Sequence, residues 1–302
     1  MKIAIIGLGN ICTKAYLPYI TSKEDIDLVF CTRNKEKLEK LSKRYRIKEY
    51  YTSVDKLLDK NIDAAFVHTA TETHASIIEK LLNDGINVYV DKPISYSYEE
   101  SVKVCKLAKE KEKILMVGFN RRFAPMYKNL MEYDIPTTIK VEKNRTFSPK
   151  DPKIVILDDF IHVLDTARFL LRDEVEDFDV NYLKKNNLLY NIVVTLKTKN
   201  TTGIAMMNRD SGYNEENVEY ISPGSKATVE NLITSKIYKN NKKEIQEFND
   251  WDRILYRRGF EPIVDEFLCA VKEKRKPSIS IEDALKTHKL CEEILKQIRS
   301  NS

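Results

Sequence analysis

Two short stretches of this chain carry side chains whose types and spacing could do chemistry. The first is NVYV, which is typical of a buried strand and runs directly into Asp91, Lys92 and Pro93. A charge at the end of a buried strand loses water, so it needs a partner or a chemical task. The Lys92 ammonium could stabilise an oxyanion. Pro93 fixes the backbone beside it, and a cis Lys92–Pro93 bond is expected, since cis is accessible at X–Pro.

The second stretch is DDFIHVLDTARFLL, whose apolar spacing predicts a helix over residues 158–171. On such a helix Asp158, His162 and Asp165 fall at i, i+4 and i+7, along one face. A histidine changes charge near neutral pH, so His162 could take a proton from an alcohol and return it to a carbonyl. The alternative is that these polar residues form the solvated side of the helix.

The elements that must position these residues alternate through the first 120 positions. Such alternation of strands and helices predicts a parallel sheet that is covered on both faces. The predicted strands are 3–7, 26–31, 48–52, 63–69, 87–90 and 114–119. The predicted helices between them are 13–21, 34–45, 53–59, 73–84 and 97–112.

GLGNIC follows the first predicted strand and opens a helix. Gly7 allows a tight turn, and Gly9 lets the backbone at Asn10 and Ile11 approach a pyrophosphate at the helix N-terminus. Cys12 replaces the third glycine of the dinucleotide fingerprint and is still small. A plain strand-to-helix turn is the alternative, but its place at the start of a strand–helix series favours a dinucleotide site.

The loop after the second strand bears on the choice of cofactor. An NAD site places an acidic residue there for the ribose hydroxyls. This chain has Thr32 and Arg33, with Lys37 a turn later. A hydroxyl and a guanidinium suit a 2′-phosphate, so the sequence favours NADP(H) over NAD(H). An ordinary exposed loop arginine is the alternative and would leave the preference open.

More polar side chains follow the fourth, fifth and sixth strands. The carboxyl ends of parallel strands meet at one edge of a sheet, where ligands bind in such folds. The candidate cofactor contacts at this edge are Thr69, Thr71, His74, Asp91, Lys92, Asn120 and Arg121. For His74, capping or packing of the next helix is an open alternative.

The pattern changes near residue 120. After a helix at 124–132 and a strand at 137–147, the predicted strands 177–183, 190–198, 202–209, 217–223 and 226–232 follow one another without intervening helices. This is typical of an antiparallel sheet. Two further helices are predicted at 258–275 and 282–299. We predict an α/β protein with a Rossmann dinucleotide-binding domain over 1–119 and an α+β domain with an open, mostly antiparallel sheet over 120–302.

The order GLGNIC, DKP, GFNRRF and D-x-x-x-H-x-x-D resembles the Gfo/Idh/MocA family, named for glucose-fructose oxidoreductase, inositol dehydrogenase and rhizopine catabolism. The resemblance covers essentially the whole chain. DDFIHVLDTARFL is especially similar to a bacterial branch that is often labelled as virulence-factor type. The departures are Cys12 in place of glycine or alanine and Asp91 in place of the commoner glutamate, and neither removes a chemical function.

The resemblance implies roles for the residues at matching positions. The lysine of DKP and the helix histidine flank the reacting carbon, which corresponds to Lys92 and His162. The acid before the lysine, Asp91, lies by the nicotinamide ribose. Asp158 helps to line the substrate site, and Asp165 steadies the histidine. We therefore expect these two far-apart segments to meet over one nicotinamide ring.

The resemblance also implies an NAD(P)-dependent oxidoreductase that acts on CH–OH groups. Its substrate would be a sugar, polyol or related hydroxy or keto compound. Because the second domain commonly makes subunit contacts in the family, we expect a homodimer or homotetramer. Two alternatives stay open, namely reduction of an imine or another C=N or C=C bond on the same fold, and a non-catalytic NADP-binding sensor.

The composition of the 302 residues argues against other classes of protein. The 51 basic residues are interleaved with 46 acidic ones, which gives a net charge of +5 without the clustered basic patch of a nucleic-acid-binding protein. No apolar run approaches the length of a membrane span. The five cysteines are scattered without a CxxC pair, as in a reduced cytosolic protein. We expect a cytoplasmic protein that binds neither nucleic acid nor membrane, with no metal site.

Overall fold

The structure, a computed structural model, describes residues 1–300. The chain divides into two units. The first unit combines Met1–Gly118 with Phe260–Lys286, and the second combines Phe119–Gly259 with the chain from Thr287 on. The division is a correction to the sequence prediction, which placed all of Phe260–Lys286 in the second domain.

The first unit is built on a parallel sheet. Its strands are β1 (Lys2–Ile6), β2 (Asp27–Cys31), β3 (Glu49–Tyr51), β4 (Ala64–Val67), β5 (Asn87–Val90) and β6 (Leu115–Val117). Six strands pair in parallel in the order β3-β2-β1-β4-β5-β6. The central strands β1 and β4 are almost entirely apolar and buried, as expected for a sheet with both faces covered. This confirms the predicted Rossmann sheet, including all six of its strands.

The helices of the first 118 residues differ from the prediction at two places. They are α1 (Leu17–Ile20), α2 (Lys35–Tyr45), α3 (His74–Asn83) and α4 (Tyr98–Glu110). A π-helical turn, Cys12–Tyr16, precedes α1, so that Pro18 falls in the first turn of α1, where its missing N–H costs little. The helix predicted over 53–59 is only a 3₁₀ turn, Val54–Lys56, because the chain adopts positive φ at Asp59.

The second unit is built on a larger sheet. Its strands are β7 (Thr138–Asn144), β8 (Asp177–Lys185), β9 (Leu188–Lys197), β10 (Thr202–Asn208), β11 (Glu215–Ser222), β12 (Ser225–Glu230), β13 (Thr234–Lys239) and β14 (Lys242–Gln246). The eight strands lie in the order β14-β13-β12-β11-β7-β10-β9-β8. Of the strand pairs in this sheet as described, β7 with β10 is parallel and the others are antiparallel. The predicted open, mostly antiparallel sheet is confirmed.

The edge strand β14 and its neighbour β13 are absent from the sequence prediction. Their lysine-rich sequences, TSKIYK and KKEIQ, lack a clear apolar face. The signal that could have found them is the Asn240–Asn241 pair between them, in which both residues have positive φ. A two-residue hairpin turn of type I′ requires this conformation, and asparagine tolerates it. The same pair at Asn186–Asn187 joins β8 to β9.

The second unit places its main helix against one face of this sheet. Its helices are α5 (Pro125–Lys128), α6 (Pro152–Ile154), α7 (Ile161–Leu171) and α8 (Ile254–Arg257). The apolar side chains of α7 pack against β7 and β10. A π-helical segment, Val155–Phe160, leads into α7. The predicted helix over 158–171 is therefore present, but its first residues do not follow α-helical spacing.

The last two helices are α9 (Phe260–Lys272) and α10 (Ile281–Ser300). In the first unit, the ring of Phe260 lies 5.4 Å from that of Tyr16, and the ring of Phe267 lies 5.0 Å from that of Phe66. The apolar face of α9 thus covers the parallel sheet, which explains why this late segment belongs to the first unit. Among residues 1–300, no helix combines the length and the apolar character that crossing a membrane requires.

Candidate functional site

The turn after β1 contains two glycines, Gly7 and Gly9, and the lack of a side chain has a different effect at each. Gly7 has φ of 88°, and a Cβ added there would lie 2.6 Å from the Thr69 backbone nitrogen. Glycine at this position lets the loops after β1 and β4 touch. A Cβ added at Gly9 would meet only the His68 carbonyl oxygen, at 3.8 Å. The fold therefore does not need glycine at position 9, and its missing side chain leaves room beside the helix that follows.

That helix begins at Asn10, and its first turn is open to solvent. Asn10 and Ile11 are both exposed. The first backbone N–H of this helix that donates to a preceding backbone carbonyl is that of Thr13, which donates to the Gly9 carbonyl at 3.0 Å. The earlier N–H groups of a helix have no partner within it and favour an anion. The open space at Gly9 and these N–H groups fit the pyrophosphate of a dinucleotide.

The two glycines give a matched test of this fit. We expect Gly9→Ala to weaken NADPH binding about tenfold or more, which is about 1.4 kcal/mol, without a change in Tm. Gly7→Ala should weaken binding and also lower the free energy of unfolding by about 2 kcal/mol or more, because alanine is strained at positive φ and meets the Thr69 backbone. Fluorescence titration measures the NADPH affinity of each variant, and thermal unfolding measures its stability. Full NADPH affinity in Gly9→Ala would contradict the pyrophosphate role.

The loop after β2 lies near this turn. Asn34 caps α2 by accepting a hydrogen bond from the Lys37 backbone N–H at 2.9 Å, and Arg33 beside it is exposed. Burial, and then Asp91, raise the pKa of the Cys12 thiol, whereas Lys37 acts to lower it. Lys37 and Asp91 are therefore both close enough to Cys12 to influence it. The glycine turn, the β2 loop and the end of β5 lie at one edge of the sheet.

The residues after β5 are held by the backbone. The Asp91 N–H donates to the Val67 carbonyl at 3.0 Å, and the Asp91 Oδ1 accepts from the Lys92 N–H at 2.9 Å. The Lys92–Pro93 bond is cis, which confirms the expectation from the sequence. At the same edge, Thr32, Thr69 and Thr71 are half-buried.

Two buried histidines adjoin Asp91. The Nδ1 of His68, which the sequence reasoning did not single out, lies 3.9 Å from the Asp91 Oδ2. Burial raises the pKa of the Asp91 carboxyl, but His68 and Lys92 outweigh burial and hold that pKa below its ordinary value. The only signal for His68 in the sequence is its position at the end of the fourth predicted strand.

His74 differs from its predicted role as a direct cofactor contact. Its Nδ1 lies 2.9 Å from the Pro93 carbonyl oxygen, and its Nε2 lies 3.1 Å from the Thr69 carbonyl oxygen. Both ring nitrogens are thus occupied by backbone groups, and burial lowers the pKa of His74. The structure supports the alternative reading, in which His74 packs inside and joins the loops after β4 and β5.

In the second unit, His162 lies in the first turn of α7. His162 and Asp165 are only 8% and 1% exposed, which excludes a solvated helix face for these two residues. The Arg121 Nη1 lies 3.4 Å from the His162 Nδ1 and 3.3 Å from its Nε2. Arg121 also donates two hydrogen bonds to Glu216, at 2.8 Å and 3.0 Å. A guanidinium held by a carboxylate is therefore the charged neighbour of the histidine.

Asp165 has partners other than the one predicted from the resemblance. Its Oδ1 accepts from the Arg122 Nη2 at 2.6 Å and from the Thr287 Oγ1 at 2.9 Å, and its Oδ2 accepts from the Arg122 Nε at 2.9 Å. These bonds hold the Asp165 carboxylate. Arg122 and Thr287 come from distant parts of the chain, so helix spacing alone could not identify them.

Asn120 and Arg121, which the sequence predicts as cofactor contacts, have partners within the second unit. Both belong to the second unit, where the Asn120 Nδ2 donates to the Arg258 carbonyl at 2.8 Å. The Asn120 Oδ1 accepts from the Arg121 Nη1 at 3.0 Å. The 3₁₀ turn Asn120–Phe123 turns these side chains into the second unit directly after β6. The structure therefore assigns Arg121 to the surroundings of His162.

Asp159 is a charged residue of this region that the sequence reasoning missed. It accepts from Lys143 at 2.8 Å, from Arg145 at 2.9 Å and from Arg209 at 2.8 Å. Burial raises the pKa of its carboxyl, but Lys143 and Arg145 outweigh burial and hold that pKa far below its ordinary value. The predicted site residue Asp158 precedes it and is half-buried. Because the segment is π-helical, α-helical spacing did not indicate that Asp159 faces a set of cations.

The strand order of the first unit and its glycine turn are typical of the class of dinucleotide-binding enzymes. Residues 1–119 match the family described as oxidoreductase family, NAD-binding Rossmann fold, and residues 125–240 match the YceM-like C-terminal domain. Together with the relatives described next, these matches show that the chain belongs to the Gfo/Idh/MocA family of oxidoreductases.

Three proteins illustrate the similarity. YceM of Salmonella typhimurium is 30% identical over 306 residues, which cover 97% of this chain and 96% of YceM. The crystal structure of a Gfo/Idh/MocA family oxidoreductase from Vibrio cholerae is 32% identical, with a TM-score of 0.95 over 100% of this chain and 99% of that one. The dehydrogenase MviM from Clostridium difficile is 36% identical, with a TM-score of 0.94 over 98% of this chain and 99% of that one.

Proposed function

We propose that this oxidoreductase transfers a hydride between NADP(H) and a CH–OH or keto carbon of a sugar, a polyol or a related compound. The observation that carries the proposal is the strand order, because it brings the glycine turn after β1 and Lys92 after β5 to one edge of the sheet. A relative named myo-inositol 2-dehydrogenase, from Thermotoga maritima, supports a hydroxylated substrate. It is 27% identical over 59% of this chain and 57% of its own length.

In this proposal His162 and Lys92 act on the same oxygen of the substrate. His162 takes the hydroxyl proton during oxidation and returns it during reduction. Lys92 donates a hydrogen bond to that oxygen and stabilises the negative charge that develops on it. When bound, the nicotinamide accepts the hydride from the carbon, or returns it. Asp158 lines the substrate site, and Asp165 keeps α7 in position through its bonds to Arg122.

The proposed cofactor contacts follow the edge of the parallel sheet. The pyrophosphate would lie against Gly7, Gly9, Asn10 and Ile11, and the 2′-phosphate against Thr32, Arg33 and Lys37. Thr69, Thr71 and Asp91 would surround the nicotinamide ribose. The guanidinium of Arg33, with no carboxylate in the segment CTRNK, supports NADP(H) over NAD(H).

The preference for NADP(H) is tested at Arg33, which is exposed. We expect Arg33→Ala to weaken NADPH binding about tenfold and to leave NADH binding nearly unchanged, because the guanidinium would bind the 2′-phosphate through charge-assisted hydrogen bonds. Arg44→Ala, at another exposed arginine of the same unit, is the control and should change neither affinity. Equal losses for both cofactors in Arg33→Ala would contradict the assignment.

The reaction is tested by an absorbance screen that follows the nicotinamide. Purified protein is mixed with NADP⁺ or NAD⁺ and with sugars, sugar phosphates and inositols, and with the reduced cofactors and keto-sugars or cyclic imines. We expect turnover of at least one hydroxy or keto compound. Turnover of imines alone would favour the C=N reductase. Tight NADPH binding without any turnover would favour the sensor.

We also propose a cytoplasmic homodimer or homotetramer that binds neither nucleic acid nor membrane. The five cysteines are all free thiols, as is usual in a reducing compartment. The open antiparallel sheet, which α7 covers on one face, supports association through the other face. Light scattering after size-exclusion chromatography measures the assembly, and a monomer would contradict the homo-oligomer.

A further inference from the structure

A buried group of charged side chains adjoins His162 in the second unit. We call it the cationic cluster, and its members are Arg121, Lys143, Arg145, Arg209, Asp159 and Glu216. Lys143 of β7, and Arg145 and Arg209, which directly follow β7 and β10, converge on Asp159 at 2.8 Å to 2.9 Å. Glu216, which is paired in register with Lys143, holds Arg121. The cluster therefore lies on the strands that α7 covers, beside the proposed base.

The cationic cluster holds more positive than negative charge. Among the residues that the structure describes, four cationic side chains face two carboxylates there. Arg258 adds a further guanidinium that acts on Glu216. Burying charge without a counter-charge is costly. A bound anion would remove this cost, whereas a neutral ligand would not.

Lys143 is a deeply buried cation of the cluster. Its side chain is only 4% exposed. Burial, and then Arg121, lower the pKa of Lys143 to about 8, although Glu216 and Asp159 act to raise it and Arg145 also lowers it. Burial and the neighbouring guanidinium groups together thus outweigh the two carboxylates that favour the charged ammonium of Lys143.

The cation of the cluster that is most exposed to solvent is Arg145. Arg145 is 35% exposed, whereas Arg209 is as buried as Lys143. A guanidinium and an ammonium have more N–H donors than the bonds to Asp159 use, and a guanidinium fork suits a carboxylate or a phosphate. Arg121, which lies 3.3 Å from the His162 Nε2, belongs to both the cluster and the surroundings of the histidine. An anion at Arg145 would thus lie near the proposed reaction centre.

We propose that the cationic cluster is an anion subsite, and that the substrate is a hydroxy compound with its own carboxylate or phosphate group, such as a sugar acid or a sugar phosphate. The inference rests on the proposed function, because that function assigns His162 to the reacting hydroxyl. The anion would fix the substrate at Arg145 and Lys143, and the hydroxyl would be presented to His162.

Direct binding tests the subsite without any turnover. Isothermal titration is carried out with gluconate, glucose 6-phosphate and glucose as matched probes. We expect at least one anionic probe to bind about tenfold more tightly than glucose, which is about 1.4 kcal/mol. Comparison of gluconate with glucose 6-phosphate shows whether the subsite prefers a carboxylate or a phosphate. Three equal affinities would overturn the proposal.

Variants show whether the cluster is responsible. Arg145→Gln should weaken binding of the anionic probe about tenfold and leave glucose binding unchanged. Lys197→Gln removes one charge from β9, where Lys197 pairs with Asp179 at 2.7 Å, and is the control for net charge. An Arg145→Gln protein that binds the anionic probe as tightly as the Lys197→Gln protein would overturn the proposal.

Binding of the anion should also depend on pH in a direction that Lys143 sets. The pKa of Lys143 is about 8, so its ammonium loses a proton as the pH rises through that value. An anion binds the charged form better, so its affinity should fall above pH 8 and binding should take up protons there. Lys143→Met should remove this dependence. If Lys143→Met does not fold, Arg145→Gln carries the test.

Different experimental results would contradict the anion subsite and the proposed function. Turnover of neutral sugars with kcat/KM at least as high as that of anionic ones would overturn the subsite and leave hydride transfer standing. Anion binding that Arg145→Gln abolishes, without turnover of any compound, would support the subsite and contradict the proposed function.

Discussion

Lys92→Ala is expected to lower kcat about a hundredfold to a thousandfold while NADPH binding changes less than about threefold. Removing one donor that faces a developing oxyanion has an effect of this size. Lys92 follows β5, whose hydrogen bonds are made by the backbone, so the loss of its side chain leaves the edge of the sheet in place. Steady-state kinetics and fluorescence titration with NADPH separate the two effects.

Two further variants sharpen this test. Lys92→Arg keeps the charge but changes the shape of the donor group, so it should restore only part of the activity. Lys35→Ala removes a highly exposed ammonium from the same unit and should leave kcat unchanged. Loss of NADPH binding in Lys92→Ala, in step with the loss of kcat, would assign Lys92 a structural role instead.

His162→Ala is expected to lower kcat about a hundredfold to ten-thousandfold, the range that general acid–base catalysis contributes. The pH profile gives a readout that a structural role would not change. A histidine base must be unprotonated to accept the hydroxyl proton, so oxidation by the natural protein should fall toward acid pH. The residual activity of His162→Ala should lack that fall.

The control for His162 is another buried histidine of the second unit. His288 contacts the ring of Phe119, with 5.9 Å between the ring centroids. His288→Asn should keep kcat within about threefold of the natural protein once circular dichroism shows that it is folded. An unchanged kcat and pH profile in His162→Ala would remove the histidine from the mechanism.

Much of the fold could be predicted because its signals are local. Most strands of the parallel sheet are short apolar runs beside amphipathic helices, and the glycine turn falls at the start of the series. The weaker signals come from strands such as β14, whose residues are mostly charged and whose pairing is set by an Asn–Asn turn. The assignment of α9 to the first unit depends on ring contacts between residues about 200 positions apart, which no local pattern reveals.

Some features of the candidate site could likewise be predicted from local sequence, whereas others could not. Lys92 and its cis proline could be read from three consecutive residues. The partners of Asp165 and His74 could not, because they are an arginine 43 residues away and two backbone carbonyls of neighbouring loops. Asp159 was missed because the helical period was taken as 3.6 residues where the chain forms a π-helix.

The composition of the first unit has a consequence for how such enzymes can be recombined. A fragment that ends at Gly118 would lack α9 and would leave the rings of Phe66 and Tyr89, which face Phe267, as an uncovered apolar surface. A chimaera that takes its nucleotide half from a relative therefore needs three junctions, one near the end of β6 and one on each side of the segment Phe260–Lys286, which contains α9. Natural recombination at a single junction would likewise exchange the nucleotide-binding half without α9.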